Sequence, residues 1–247
     1  MSVLAVLLIA LGVADICSKV TCRRWLPLIA GPATVVTCGA LAGLWHLGDI
    51  VLLIWSAAVS TLWVHLSGKA ERTGRREGRA LTVFGVGLAL PLILAGWVSP
   101  VGGIVRPWLE WTDLVPGLDP DRAAMIVGVL LLQLVTANQL VRLILGAVGA
   151  VRPAGEPQPS DRLKGGRLLG PMERLLIVGL GLGGQLGAAS AVIAAKGIIR
   201  FPELNAQRKE AADPSASGID EVTEYFLVGS FASWLVAMGG LVLAAGR

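Results

Sequence analysis

The amino-acid sequence predicts an all-α fold, a polytopic transmembrane helical bundle, and three observations support this prediction. Of the 247 residues, 54% are hydrophobic and only 15% are charged, whereas soluble domains have about 25% charged residues. The apolar residues are gathered in runs of roughly 20, the length that a helix needs to cross a bilayer. Most Lys and Arg residues lie between these runs. This composition excludes a water-surfaced enzyme, a secreted disulfide scaffold and a disordered tail.

Seven apolar runs are long enough to be spanning helices, because only a helix satisfies its own backbone hydrogen bonds in hydrocarbon. In chain order they cover residues 2–21, 25–47, 50–66, 81–98, 125–151, 175–199 and 225–245. No Lys or Arg precedes the first run and no A-x-A site follows it, so we predict a retained helix there instead of a signal peptide. Two residues separate the second and third runs, which predicts a tight hairpin.

The distribution of Lys and Arg predicts the orientation. Segments 18–24, 66–80 and 152–174 are rich in Lys and Arg, whereas 46–49 and 100–124 are poor in them. Cytoplasmic loops carry the excess of positive residues, so we expect the N-terminus outside and the C-terminus in the cytoplasm. Segment 196–224 is an exception, because it holds Lys and Arg but faces outward in this topology. An alternative with six spanning helices and one re-entrant segment therefore stays open.

Three connections have signals of their own. Trp108 and Trp111 lie in residues 106–115, and Trp settles at the headgroup level, so we predict a short interfacial helix there. The stretch RPAGEPQPS after residue 151 predicts a linker. It divides the chain into an N-terminal membrane unit of about five helices (1–151) and a C-terminal helix pair with a cytoplasmic linker (152–247). Residues 201–220 are polar and predict a mobile loop.

The predicted sixth helix is rich in small residues. Gly179, Gly181 and Gly184 match the dinucleotide pattern GxGxxG, but no βαβ pattern surrounds them, so we reject a nucleotide site. A period of four residues explains the glycines better, because small residues at this spacing let membrane helices approach closely. We predict a helix-packing ridge, within or between protomers, formed by Gly179, Gly183, Gly187, Ala191 and Ala195.

The same predicted helix has a polar side. Arg174, Gln185 and Lys196 recur every eleven residues, which is three helical turns, so they lie on one line with Arg200 close to it. Ionisable residues inside a membrane usually face a bundle interior or a water-filled cavity. We interpret this line as one wall of a pathway. The alternative is that Arg174, Lys196 and Arg200 mark the membrane interfaces by snorkelling.

Two other predicted helices also carry polar residues. In the fifth, Asn138, Gln139 and Arg142 fall within about 100° of one another and predict a polar stripe. The alternative is that these residues form interhelical hydrogen bonds that only hold the bundle together. In the first, Asp15 and Lys19 are four residues apart, and we expect this pair to neutralise itself.

No motif indicates a metal, a cofactor or a catalytic residue. Cys17, Cys22 and Cys38 form no CxxC pattern, and His46 and His65 have no further metal donor nearby in the sequence. The net charge of +4 is small and no basic groove with interleaved aromatic residues is present, which argues against nucleic acid as a partner.

The C-terminal part of the sequence contains a distinctive series of short motifs. They are GRLLG at 166–170, ERL at 173–175, GQ at 184–185, AAK at 194–196, RF at 200–201 and EYFLVGS at 224–230. Together, over residues 164–233, they resemble an uncharacterised family of bacterial polytopic membrane proteins. The resemblance implies a bacterial inner-membrane location and implies no activity.

In the predicted topology, charged residues of these motifs lie at the same depth in the membrane on neighbouring helices. We expect Lys196 or Arg200 to pair with Glu224, next to Tyr225, across the hairpin of the predicted sixth and seventh helices. We also expect a second cluster at the cytoplasmic mouth, formed by Arg167, Glu173 and Arg174.

These features favour an oligomeric ion channel or small-solute conduit, lined by polar faces of the predicted fifth and sixth helices. A ligand or partner protein at the cytoplasmic loops would gate it, as in an effector pore of phage defence. One alternative is a non-catalytic assembly or scaffold subunit. A third is a membrane-embedded enzyme acting on a lipid or isoprenoid substrate. The expected partners are the lipid bilayer and further copies of the chain.

Overall fold

The computed structural model describes residues 1–21, 23, 25–112, 115–151, 166–210 and 218–246. The regular structure of these residues is entirely helical. In chain order the helices are α1 (Ser2–Val20), α2 (Leu26–Ala42), α3 (Leu47–Thr73), α4 (Glu77–Ile93), α5 (Val105–Thr112), α6 (Pro120–Ala147), α7 (Gly166–Leu182), α8 (Leu186–Glu210) and α9 (Gly218–Ala245).

Four helices are long and apolar enough to cross a membrane: α1, α3, α6 and, in α9, Glu224–Ala245. The all-helical bundle is therefore consistent with a multi-pass membrane protein. The predicted tight hairpin corresponds to α2 and α3, and the helix predicted around Trp108 corresponds to α5. Its place at a membrane interface stays a prediction.

Helix α1 lies at the centre of the bundle. Its residues 3–8 are at most 3% exposed, and α2, α3 and α6 pack around it. Two glycines bring α1 and α6 close together: a Cβ on Gly12 would lie 2.7 Å from Leu131 Cβ, and one on Gly128 would lie 2.9 Å from Leu8 Cβ. Small residues of this kind are typical of tightly packed membrane helices.

Both chain termini lie at the same end of the bundle. Helices α6 and α9 are antiparallel, because Gly229 lies beside Leu145 whereas Gly240 lies beside Val129. Ala244, near the end of α9, shares an apolar cluster with Met125 and with Leu4 of α1. We call this end the terminal end. We call the opposite end, which contains the α3–α4 connection and Val151, the basic end.

This arrangement does not support the predicted orientation, with the N-terminus outside and the C-terminus in the cytoplasm. The two termini cannot face opposite sides of a membrane when the same end of the bundle contains both. The physical reason is an additional helix in the C-terminal part, because of which α9 runs antiparallel to α1.

The additional helix arises because the predicted sixth helix is broken at residues 183–185. The N–H of Gln185 donates to the Leu180 carbonyl (2.8 Å), and the N–H of Gly184 donates to the Gly181 carbonyl (3.1 Å). Gly184 is left-handed, with φ +74°. This is a Schellman cap, which usually needs glycine at the left-handed position. Residues 152–247 accordingly contain three described helices, where the sequence predicts a pair.

The break also separates the predicted packing ridge. Gly179 and Gly183 lie before the left-handed residue, and Gly187, Ala191 and Ala195 lie on α8, which runs back along α7. All five residues are exposed in the protomer. The ridge is therefore wrong as one continuous helix face, because the glycines that suggested it also end the helix.

Substituting two glycines of α7 and its C-terminal turn separately tests the break. We expect Gly184→Ala to lower the free energy of unfolding by about 1 kcal/mol, because alanine is strained in the left-handed conformation. Gly179→Ala is the matched control: it is exposed, a Cβ there meets nothing within 4 Å, and alanine favours a helix interior by about 1 kcal/mol over glycine. Unfolding in detergent micelles measures both effects. Stabilisation by both substitutions would indicate one uninterrupted helix.

Candidate functional site: a polar network in the bundle interior

A π-bulge interrupts α6 at Leu132–Thr136, in the middle of the helix. A bulge of this kind disturbs the regular i→i+4 backbone pairing and is common at functional sites. Here the carbonyl oxygen of Gln133 accepts hydrogen bonds from Arg174 Nε (3.3 Å) and Nη2 (3.0 Å). The bulge thus provides a buried acceptor for a cationic side chain of α7.

Arg174 joins three helices in the bundle interior. Its side chain donates from Nη1 to Ser233 Oγ of α9 (3.0 Å) and from Nη2 to Asn138 Oδ1 of α6 (2.6 Å). The residue is only 2% exposed. No carboxylate of the described residues forms an ion pair with it. Its charge is therefore balanced by a backbone carbonyl, an amide and a hydroxyl, which the rigid fork of the guanidinium can reach at the same time.

The neighbouring Glu173 forms a separate buried ion pair. Its Oε2 lies 2.5 Å from Lys196 Nζ, and its Oε1 accepts from Trp234 Nε1 at 2.8 Å. The Lys196 ammonium also lies 6.0 Å from the centroid of the Trp234 ring. Glu173 is 5% exposed. Consecutive helix residues point about 100° apart, so Glu173 and Arg174 face different neighbours.

One expectation about these charges is wrong, and another is wrong for Lys196 but stays a prediction for the pair of Arg200 with Glu224. Lys196 pairs with Glu173 and not with Glu224, because α8 turns back along α7; Glu224 is exposed and Tyr225 is half-buried. Glu173 and Arg174 do not form an open cytoplasmic mouth, because both are buried among helices. The side chains of Arg167 and Arg200 lie outside the described part of the chain.

A second cluster lies at the basic end of the bundle, and Glu71 of α3 is its centre. Glu71 contacts Arg142 Nη1 (3.2 Å), Lys19 Nζ (3.6 Å) and Gln139 Nε2 (3.2 Å). Lys19 also contacts Gln139 Oε1 at 3.5 Å. A cleft lined by Glu71, Gln139, Arg142 and Glu77 opens here. We call Lys19, Glu71, Gln139 and Arg142 the Glu71 cluster.

Sequence reasoning missed Glu71, since it lies in a segment that the positive residues mark as a cytoplasmic loop. The signal that could have found it is its helical spacing from the third apolar run, because α3 continues to Thr73. The residues of the predicted polar stripe divide between the two sites. Asn138 contacts Arg174, whereas Gln139 and Arg142 contact Glu71.

Asp15 lies between the Glu71 cluster and the π-bulge. It is 5% exposed, and the fully buried Trp63 donates from Nε1 to both carboxylate oxygens, at 3.2 and 3.0 Å. The expected pair of Asp15 with Lys19 is wrong, because Glu71 and Gln139 surround the end of α1 and take up the ammonium. Thr136 of the π-bulge lies beside Asp15.

Gln185 lies apart from these groups. The sequence predicts it deep in the sixth helix, on a line with Arg174 and Lys196, but it is exposed in the turn between α7 and α8. The line does not exist, because the turn reverses the chain direction. Arg174 and Lys196 nevertheless both face the interior.

The interior polar network therefore occupies only part of the bundle. It extends from the Glu71 cluster at the basic end, past Asp15, to the π-bulge and Arg174. Toward the terminal end it meets an apolar cluster that includes Leu4, Leu8, Met125, Val129 and Val178. Among the described residues, no three His, Cys, Asp or Glu side chains come together as metal ligands.

The arrangement holds charged groups within and at the basic end of the bundle. It offers carboxylates, an ammonium, guanidinium groups and amides within hydrogen-bond distance of one another. The chain matches no protein-family model, no curated protein and no solved structure, so these contacts alone are the basis for proposing a function.

Proposed function

We propose that the protein is a membrane conduit for ions or small solutes and that the interior polar network is its route. One observation supports this most directly: charged side chains of α1, α3 and α6 meet at the basic end of the bundle, and charged side chains of α7 and α8 pair in its interior. Ionisable groups inside a membrane are costly and usually mark ion or substrate pathways. Arg174, at 2% exposure and without a counter-ion among the described residues, is the strongest case.

In this proposal the structure represents a closed state. At the basic end the route begins at the small cleft beside Glu71, and toward the terminal end the apolar cluster around Val129 and Val178 closes it. Apolar constrictions close channels by excluding water. Gly181 lies against Leu241, and a Cβ on Gly240 would lie 2.9 Å from Val129 Cγ1. A small movement of α7 or α9 would therefore change the packing of this constriction.

We further propose that the membrane is the bacterial inner membrane, as the resemblance of residues 164–233 implies, and that the basic end is cytoplasmic. With α1–α4 and α6–α9 as eight crossings, segment 196–224, from the second half of α8 to the start of α9, would lie toward the basic end. Its Lys and Arg residues then obey the positive-inside rule, which they violate in the seven-helix topology. Both termini would face outward.

Fusion of alkaline phosphatase after Arg247 tests this orientation. The enzyme needs disulfides, which form in the periplasm and not in the cytoplasm. We expect an active fusion, whereas fusion within the α3–α4 connection should be inactive. An inactive C-terminal fusion with an active α3–α4 fusion would contradict the orientation.

Flux through the purified protein in lipid vesicles tests the conduit. We expect the wild type to conduct at least one of potassium, chloride and the proton, and Glu71→Gln to change that flux about tenfold, the effect of about 1.4 kcal/mol on a barrier. The substitution leaves Lys19 and Arg142 without their shared carboxylate. Arg75→Gln, which also changes one charge at the basic end but is exposed, is the control. Vesicles with wild-type protein that conduct no better than empty vesicles would contradict the proposal.

The second candidate function is a membrane assembly subunit, and the exposed small residues of α7 and α8 favour it. A Cβ placed on Gly179 or on Gly187 would meet nothing within 4 Å, so another helix could approach these glycines closely. The same surface would serve a homo-oligomer of the conduit. Crosslinking of two copies through cysteines placed at these positions, without any flux, would favour the assembly subunit.

A further inference from the structure

We propose that Asp15 is a proton-binding group and that the proton is the ion that this conduit handles. The inference rests on the proposed conduit function and names its substrate. The sequence predicts that the Asp15 carboxylate pairs with Lys19. In the structure, Asp15 has no ion-pair partner among the described residues.

The surroundings of Asp15 favour exchange between a charged and a neutral carboxyl group. The residue is 5% exposed, and its hydrogen-bond donor is the neutral indole of Trp63. No Lys or Arg nitrogen of the described residues lies within ion-pair distance. A carboxylate buried without a counter-ion is costly, and proton uptake removes that cost. The indole N–H can donate to an oxygen of either form, so neither form loses its partner.

The charged groups near Asp15 lie on the side of the basic end. Lys19 is one turn further along α1, and Glu71 belongs to α3. On the other helices packed against α1, the charged residues toward this end are Arg142 of α6 and Glu77 and Arg79 of α4, whereas α2 contains no charged residue. The proton-binding group therefore has a titratable neighbour, Glu71, between it and the cleft.

Side chains that can exchange or pass a proton lie near both Glu71 and Asp15. Glu71 is 22% exposed at its side chain and lines the cleft. Gln139 and Lys19 connect it to the end of α1. The hydroxyl of Thr136 is buried, has no hydrogen-bond partner among the described residues and lies beside Asp15.

The transfer step balances without any further reactant. The O–H bond of a protonated Glu71, or of a hydronium ion in the cleft, breaks as a new O–H bond forms at an Asp15 oxygen, which leaves a Glu71 carboxylate or a water molecule behind. When Thr136 takes part, it gives its hydroxyl proton to Asp15 and accepts one from the donor side. Release toward the terminal end would require the apolar cluster to open.

Infrared difference spectroscopy of the full chain in lipid vesicles, between alkaline and acid pH, tests the inference. We expect a carboxylic-acid C=O band that Asp15→Asn removes and Asp15→Glu shifts. Asp49→Asn is the matched control: Asp49 is equally buried, but it accepts N–H bonds from His46 and Ser99 at the terminal end. A band that persists in Asp15→Asn would overturn the inference.

Acidification of the vesicle lumen separates this inference from the proposed conduit. We expect wild-type vesicles to acidify and Asp15→Asn vesicles to behave like protein-free ones, with Asp49→Asn close to wild type. A band that belongs to Asp15 without any flux would support proton binding and contradict the conduit. Potassium or chloride flux that is unchanged in Asp15→Asn, with no proton flux in the wild type, would support the conduit and overturn the proton as its ion.

Discussion

Arg174→Met is expected to lower the free energy of unfolding by about 2–8 kcal/mol, from the loss of four interhelical hydrogen bonds at roughly 0.6–2 kcal/mol each. The substitution fills similar space but leaves the Gln133 carbonyl, Asn138 and Ser233 without their donor. Leaving buried acceptors unpaired costs more than the bonds themselves contribute. Unfolding of the purified protein in mixed detergent micelles measures the change.

The control and a conservative variant make this prediction specific. Arg75→Met removes an exposed arginine from the α3–α4 connection and should change stability by no more than about 0.5 kcal/mol. Arg174→Lys keeps the charge but lacks the fork that reaches three acceptors, so we expect an intermediate loss. If Arg174→Met were as stable as the wild type or more so, the buried charge would serve conduction alone and not stability, because removing an unpaired buried charge also relieves a desolvation cost.

Glu173→Gln is expected to destabilise the protein by about 3 kcal/mol, because it leaves Lys196 in a mostly buried position without its counter-ion. Lys196→Gln should lower the free energy of unfolding by a similar amount, because it leaves the buried Glu173 without its counter-ion. The double substitution should cost less than the sum, with a coupling of about 1–3 kcal/mol, because two amides can hydrogen-bond where two charges were paired. The same unfolding measurement gives all three values.

A second cycle tests which acid is the partner. Lys196→Gln and Glu224→Gln should be additive within about 0.5 kcal/mol, because Glu224 is exposed and Lys196 contacts Glu173. Coupling in the Lys196–Glu224 cycle and additivity in the Glu173–Lys196 cycle would mean that residues 175–199 form one helix after all. The two cycles thus decide between the predicted sixth helix and the observed hairpin.

Substitutions of Arg174 and Glu173 should affect the proposed conduction route as well as stability. Arg174 and Glu173 come from one helix and connect to α6, α8 and α9. A change in either contact would alter the packing of the helices that line the network. Measuring flux on the same variants would therefore relate the energy of each contact to conduction.

The sequence by itself determined the class of the fold and most of the helices. Hydrophobicity is a local property, so runs of apolar residues were enough to predict helices at the positions of α1, α3, α6 and α9. The Trp pair at 108 and 111 was enough to predict α5. The sequence also identified Arg174, Glu173, Lys196, Gln139 and Arg142 as residues of interest, because charge inside an apolar run is visible without a structure.

The tertiary structure alone decided the path of residues 175–199 and the partners of the charges. Glycine serves equally well as a small packing residue and as the left-handed residue that ends a helix. The spacing of the glycines in the sequence therefore could not distinguish a packing ridge from a turn. The structure shows a turn, because α8 runs back along α7. Glu71 and Asp15 gained their roles only through contacts with Arg142 and Trp63. Which charged residues pair depends on the distances between helices. Helix packing sets these distances, and a local sequence pattern does not contain that information.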